Sequence, residues 1–161
     1  NIVLIGMPGA GKSTVGVVLA KTAGMPFLDT DLVIQQREGI KLQEIIDEKG
    51  LEFFLSIEEK AILELDIKGH VIATGGSVVY SEASMEHLKK DGRIIYLMLP
   101  YYEIEQRINN ITTRGIAMGK GQSLMDIYNE RIPLYNRYAD LIIDCSGRNA
   151  EEVIEEILEK L

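Results

Sequence analysis

Near the start of the chain, Gly6-Met7-Pro8-Gly9-Ala10-Gly11-Lys12-Ser13 satisfies the spacing G-x-x-x-x-G-K-[ST]. From average residue frequencies, a chance match somewhere in a chain of 161 residues is on the order of 0.01. The chemistry of this pattern is phosphate binding. Glycines let the backbone turn its N–H groups inward around phosphate oxygens, where side chains would take the space. A helix starting near Lys12 adds its positive end. The Lys12 ammonium reaches the β- and γ-phosphates of a nucleotide, and the Ser13 hydroxyl can ligate Mg²⁺. Residues 9–13 are therefore the expected cradle for a nucleoside triphosphate with Mg²⁺.

Two further spacings could carry chemistry. Phe27-Leu28-Asp29-Thr30-Asp31 places two carboxylates at i and i+2 just past a short apolar run. On an extended backbone they share one side, which at the C-terminal edge of a parallel sheet faces the ligand crevice. One could hold Mg²⁺ through water while the other orients an acceptor hydroxyl; the alternative is a helix N-cap. Val71-Ile72-Ala73-Thr74-Gly75-Gly76-Ser77 is an apolar run ending in paired glycines. That pattern fits close approach of a ligand to backbone, or a plain turn. Residues 109–123 are polar, hold three glycines and break the apolar periodicity, as expected of a lid or a solvated loop.

The elements that must position these residues follow from the alternation of β-branched runs and helical patterns. Strands are predicted at Val3–Ile5, Pro26–Leu28, Val71–Ala73, Ile94–Leu97 and Leu141–Ile143. Helices are predicted at Lys12–Ala23, Leu32–Gln36, Leu42–Lys49, Leu51–Ile67, Glu82–Lys90, Glu103–Asn109, Leu124–Tyr138 and Ala150–Leu161. The predicted fold class is α/β: a P-loop NTPase-type parallel β-sheet flanked by helices. It carries a helical insert at about 32–67 and a lid at 109–123, all in one domain spanning 1–161.

With 46% apolar and 26% charged residues the chain can bury a core. Its net charge of −8 disfavours nucleic-acid or anionic-membrane partners, which need a basic face. A single cysteine, Cys145, excludes an internal disulfide and a thiolate metal cage. No apolar run approaches the ~18 residues of a membrane span, and no secretory signal precedes the first strand. A cytoplasmic monomer with a small-molecule substrate is expected. The opening Asn1 suggests a trimmed N-terminus.

Read together with Arg114 in the loop, Arg131-Ile132-Pro133-Leu134-Tyr135-Asn136-Arg137-Tyr138-Ala139-Asp140 and Gly147-Arg148-Asn149, these motifs make the chain resemble the shikimate kinases over nearly its whole length. The resemblance implies a helical region at 32–67 that binds the acceptor. It implies that Asp29 sits near Mg²⁺ through water, that Asp31 binds the acceptor hydroxyls and acts as base, and that backbone at Gly75 and Gly76 touches the acceptor. Arg131 would clamp the acceptor's carboxylate, Arg114 would neutralise the transferring phosphoryl group, and Thr14, Arg107 and Arg148 would complete the nucleotide site, with Arg148 on the adenine.

The chain departs from the family pattern in three places. Where the family has Gly-Glu-x-x-Phe-Arg-x-x-Glu, this chain reads Gly50-Leu51-Glu52-Phe53-Phe54-Leu55-Ser56-Ile57-Glu58, so Leu55 replaces a carboxylate-binding arginine. Ser77 replaces a third glycine, and Gly115-Ile116-Ala117 replaces Pro-Leu-Leu in the lid. All three lie on the acceptor or lid side. Arg37 and Lys60 are candidates to replace the missing charge, and Ser77 would either crowd the acceptor or offer it a hydroxyl. The expected activity is transfer of the ATP γ-phosphoryl group to a hydroxyl of shikimate. The alternatives are a related kinase with another hydroxylated acceptor, and a nucleotide-binding module without turnover.

Overall fold

The computed structural model describes residues 1–109 and 115–161. Its sheet has five parallel strands in the order β2-β3-β1-β4-β5: β1 (Ile2–Ile5), β2 (Phe27–Asp29), β3 (Val71–Ala73), β4 (Arg93–Met98) and β5 (Leu141–Asp144). β1 and β3 are apolar throughout and fully buried, as strands covered on both faces must be. The helices are α1 (Lys12–Ala23), α2 (Thr30–Glu38), α3 (Leu42–Lys49), α4 (Leu51–Leu63), α5 (Glu82–Lys90), α6 (Tyr101–Asn109), α7 (Leu124–Tyr138) and α8 (Ala150–Lys160). A 3₁₀ turn at Val78–Tyr80, not foreseen from sequence, meets α4, α5 and α7.

After β1 the chain moves to β2 and β3 on one side, then crosses to β4 and β5 on the other. Such a reversal of strand order opens a crevice at the C-terminal edge of the sheet, beside β1. The main core joins the sheet to α1, α5, α7 and α8 through residues such as Leu4, Leu19, Met85, Ile127 and Ile154. A second cluster forms on α2–α4 from Ile34, Leu42, Ile45, Phe54 and Ala61, and it includes Ala117 from the far end of the 109–123 segment.

Several predicted boundaries move by one to four residues, two of them with consequences for the site. α4 stops at Leu63 instead of Ile67, because Leu65 and Ile67 turn off to pack half-buried on the main core on the way to β3. α2 begins at Thr30 instead of Leu32, so Asp31 sits in a first helical turn and not on extended backbone. Among the described residues, no helix is long and apolar enough to cross a membrane.

Candidate active site

The phosphate loop is shaped by its glycines. Gly9 and Gly11 have φ of +85° and +91°, a region that L side chains rarely adopt. At Gly6 a Cβ would stand 2.8 Å from the Leu97 carbonyl oxygen of β4, so the strand can only enter the loop without a side chain there. Lys12 is buried and donates from Nζ to the carbonyls of Gly6 and Met7 at 2.7 and 2.8 Å. α2, α5, α7 and α8 have N-termini capped by Asp29, Ser81, Ser123 and Asn149. α1 begins at Gly11 with no side-chain cap and no acid in its first turn, which leaves its N–H groups to an anionic ligand.

Asp29 does two jobs. Its Oδ1 accepts the Asp31 N–H at 2.9 Å, capping α2, and its Oδ2 accepts the Ser13 hydroxyl at 2.7 Å. Cap and site readings therefore both hold, and a hydroxyl and a carboxylate stand assembled at the start of α1. These are hard oxygen donors that suit Mg²⁺ brought in with a nucleotide. Among the described residues, no group of three His, Cys, Asp or Glu could form a separate metal cage.

Ser13 and Asp31 line the same crevice. Asp29 bonds Ser13, whereas Asp31 Oδ1 lies 2.6 Å from where a Cβ on Gly75 would stand. Glu58 Oε2 lies 2.9 Å from the same point. One residue along, a Cβ on Gly76 would meet Pro8 Cδ at 2.8 Å and Arg131 Nη1 at 2.9 Å. The Gly75 N–H donates to Thr30 Oγ1 and the Gly76 carbonyl accepts from Tyr135 Oη at 2.6 Å. The paired glycines thus serve by lacking side chains where two carboxylates and a guanidinium converge. One crevice runs from Pro8 and residues 11–14 to Asp31, residues 74–76 and Gly115.

Arg131 is 1% exposed. Its Nε donates to Tyr80 Oη at 3.1 Å and its Nη2 to the Ala117 carbonyl at 2.7 Å, with its guanidinium carbon 5.1 Å from the Tyr80 ring centre. The side chain that faces Gly76 also holds the exit of the 109–123 segment. That exit presses on α3, where a Cβ at Gly115 would come within 2.7 Å of Leu42 Cβ. Arg114 lies outside the described residues.

Leu55 is half-buried against the α2–α4 cluster and lines a small cavity with Glu58, Ser77 and Tyr80. Neither proposed substitute supplies its missing charge. Arg37 pairs with Glu64 at 2.5 Å, and Lys60 is exposed and lines neither this cavity nor the crevice. Ser77 gives its hydroxyl to Glu58 Oε1 at 2.8 Å. Burial lifts the Glu58 carboxyl to about 7; the Ser77 hydrogen bond opposes the lift, the Asp31 charge adds to it and Arg131 opposes it.

On the other side of the loop, Arg107 and Arg148 line a cleft with Ala10, Gly11, Thr14 and Asn149. Arg107 Nη1 donates to the Gly9 carbonyl at 2.9 Å. Arg148 is bound to the carbonyls of Asp144 and Glu152 at 2.9 and 2.8 Å and to the Glu156 carboxylate, so it ties β5 to α8 while facing the cleft. Cys145 also lines this cleft, with burial pushing its thiol up to about 11, which leaves it inert at neutral pH.

Sequence reasoning did not assign Glu58, Tyr80 or Tyr135 to the site. For Glu58 a signal existed: it falls on the buried face of α4 with Phe54, Ala61 and Ile62, and a carboxylate there calls for a partner or a role. The tyrosines carry no such mark, because apolar spacing alone accounts for them.

Comparison with known proteins agrees with this geometry. A sequence model of the family described as shikimate kinase matches residues 8–161. A shikimate kinase of Thermodesulfovibrio yellowstonii is 39% identical over 163 residues, covering 99% of this chain and 94% of that protein. One from Caldanaerobacter subterraneus subsp. tengcongensis is 37% identical over 161 residues, covering 98% and 94%. The solved structure of shikimate kinase from Acinetobacter baumannii in complex with shikimate superposes with a TM-score of 0.91 at 33% identity, covering 99% of this chain and 91% of that one. Strand order, phosphate loop and full-length similarity place the chain in the shikimate kinase family, whose members are small-molecule phosphotransferases.

Proposed function

We propose that this chain transfers the γ-phosphoryl group of ATP, bound with Mg²⁺, to a hydroxyl of shikimate. The observation that carries the reading is the convergence of Asp31 and Arg131 on Gly75–Gly76, in the same crevice as the phosphate loop. A hydroxyl binder and a carboxylate clamp at that spacing suit a small hydroxy acid, and a shared crevice suits in-line displacement.

In this reading the N–H groups of residues 9–13 and the Lys12 ammonium hold the phosphates, Ser13 ligates Mg²⁺, and Asp29 reaches the ion through water. Mg²⁺ supplies counter-charge to the phosphate oxygens. Asp31 orients the acceptor hydroxyl and takes its proton as the oxygen–phosphorus bond forms and the β,γ-bridging bond breaks. Phosphoryl transfer depends mostly on positioning and charge neutralisation, the role given to Lys12 and Arg114. Thr14 completes the phosphate cradle, and Arg107 and Arg148 flank the nucleobase cleft. Residues 1–161 act as one kinase domain, with 32–67 as the acceptor-binding region and 109–123 as the lid. The protein works as a cytoplasmic monomer without nucleic-acid or membrane partners, which its net charge of −8 favours.

Leu55 favours a second reading, an acceptor that presents a less charged group to α4. Coupled ADP-release assays with shikimate and a panel of hydroxylated acids, polyols and amino acids separate the two. Mg²⁺-dependent stimulation by shikimate, with a KM between about 1 μM and 1 mM, is expected. Stimulation by another acceptor alone would transfer the assignment, and ATP binding with no stimulation by any of them would leave a nucleotide-binding module.

A further inference from the structure

Glu58 is buried, and the chemistry above leaves it unused. Its Oε1 accepts the Ser77 hydroxyl at 2.8 Å, while its Oε2 has no hydrogen-bond partner among the described residues. That oxygen closes on Gly75 beside Asp31 Oδ1, one residue from where Arg131 closes on Gly76. An unpartnered carboxylate oxygen beside a second carboxylate is unfavourable. A carboxylic acid is less so, because it carries no charge beside Asp31, and its O–H at Oε2 is a donor for a group that enters at Gly75. Ser77 decides which oxygen carries the proton, since its hydroxyl donates to Oε1 and leaves Oε2. Leu55, three residues earlier on α4, brings no charge to the same cavity.

Resting on the shikimate reading above, we propose that Glu58 binds the acceptor as a neutral carboxylic acid positioned by Ser77. A carboxylate-bearing acceptor docking on Arg131 favours the protonated form of Glu58, so binding draws about half a proton from solvent onto Oε2 near pH 7.5. With Glu58 ionised, the incoming carboxylate would meet one guanidinium and two carboxylates; with Glu58 neutral it meets one of each. The titratable groups acting on Glu58 are Asp31 from α2 and Arg131 and Tyr135 from α7, and Tyr80 of the 3₁₀ turn lines its cavity. Glu59 of α4 lines the same cavity and accepts the Ser81 hydroxyl at 2.5 Å, and three further groups near α4 or its exit are engaged elsewhere. Arg37 of α2 pairs with Glu64, Lys49 of α3 lies over the Phe53 ring, and His87 of α5 bonds the Leu65 carbonyl. The lift of the Glu58 carboxyl to about 7 puts the proton exchange near neutrality.

The test is the pH profile of the shikimate KM and kcat between pH 6 and 9. For the unmodified protein, KM should rise about fivefold or more between pH 6.5 and 8.5, as expected when acceptor binding moves the Glu58 pKa by about one unit, while kcat does not follow it. Glu58→Gln, whose amide is a permanent donor, should flatten the profile to within about twofold. Ser77→Ala removes a bond that favours the ionised form, so the rise should move to higher pH. Calorimetry of shikimate binding at pH 7.5, in two buffers of different ionisation enthalpy, should register proton uptake by the unmodified protein; this needs no variant. A KM independent of pH, absence of proton uptake, or a Glu58→Gln profile with the original slope would overturn the proposal. Shikimate phosphorylated with a flat KM defeats the Glu58 assignment alone, whereas shikimate untouched at every pH defeats the acceptor assignment and this inference with it.

Discussion

Replacing Leu55 by arginine puts a cation on α4 three residues before Glu58, in the cavity that Leu55 already lines with Ser77 and Tyr80. Residues at i and i+3 on a helix are neighbours, so the new guanidinium reaches the Glu58 carboxylate and, past it, the Gly75–Gly76 point where an acceptor carboxylate would meet Arg131. One charge-assisted hydrogen bond is worth roughly 1.5–3 kcal/mol, which corresponds to about 10- to 150-fold in affinity. If shikimate is the acceptor, kcat/KM for it should rise by a factor in that range, mostly through KM. The cation also stabilises ionised Glu58, so the carboxyl falls from about 7 and the rise of KM with pH should disappear from the window above pH 6.5. The loss of Leu55 packing is small, because the residue is only half-buried and an arginine stem covers similar apolar surface. Steady-state kinetics at pH 6.5 and 8.5, alongside thermal unfolding, read all three effects. An unchanged or lower kcat/KM in a variant that unfolds at the original temperature would refute the reasoning, since no charged acceptor group would then lie above position 55.

Asp31→Asn keeps the side chain's shape but cannot take a proton; kcat should fall by about 10²- to 10⁴-fold while nucleotide affinity, measured by equilibrium binding, stays within about twofold. Tyr135→Phe leaves the buried Gly76 carbonyl without its 2.6 Å hydrogen bond, a loss of about 1–3 kcal/mol that chemical denaturation should register together with a higher acceptor KM. Glu58 also ties stability to pH: its carboxyl titrates near 7 in the folded protein against a usual value of 4.5, so the folded state holds the proton more tightly. That contribution is present below pH 4.5, is lost as pH rises from there to 7, and then stays constant. Glu58→Gln should therefore gain on the unmodified protein across that window, by at most roughly 3 kcal/mol. A gap in unfolding free energy that is the same at pH 4.5 and 7.5 would contradict the assignment.

What could be read from the chain, and what could not, follows from how far apart the interacting residues lie. The phosphate loop is eight contiguous residues between a strand and a helix, so its backbone conformation, its uncapped helix and the position of Lys12 are all local matters. Asp29 was ambiguous in sequence because one carboxylate has two oxygens, and the structure uses both, one for the α2 cap and one for Ser13. Asp31 lines the crevice from the first turn of a helix that starts at Thr30, where sequence spacing predicts an extended i, i+2 pair. The reach of α4 was overestimated because Leu65 and Ile67 continue an apolar pattern that fits a helix, and only the tertiary packing of the main core draws them off it. Ser77 was open between crowding and bonding, since its partner Glu58 lies 19 positions away and no local pattern links the two.

A chain of net charge −8 that handles a polyanion must fix its cations without cancelling them, and the partners of the basic residues bear on how it does so. Lys12 is anchored by the Gly6 and Met7 carbonyls, Arg107 by that of Gly9, and Arg131 by the Ala117 carbonyl and the Tyr80 hydroxyl. For Arg107 and Arg131, carbonyl and hydroxyl oxygens orient the cation through their dipoles without neutralising it. Arg148 differs, because the Glu156 carboxylate offsets its charge; in the proposed function it therefore offers a nucleobase the flat face of its guanidinium, not attraction to phosphate. The same logic separates the two ends of the crevice. At the phosphate end the loop's N–H groups and the start of α1 add their dipoles to Lys12 and Arg107. At the acceptor end Arg131 stands against Asp31 and Glu58, so the three charges balance when Glu58 holds its proton and leave a net negative charge when it does not.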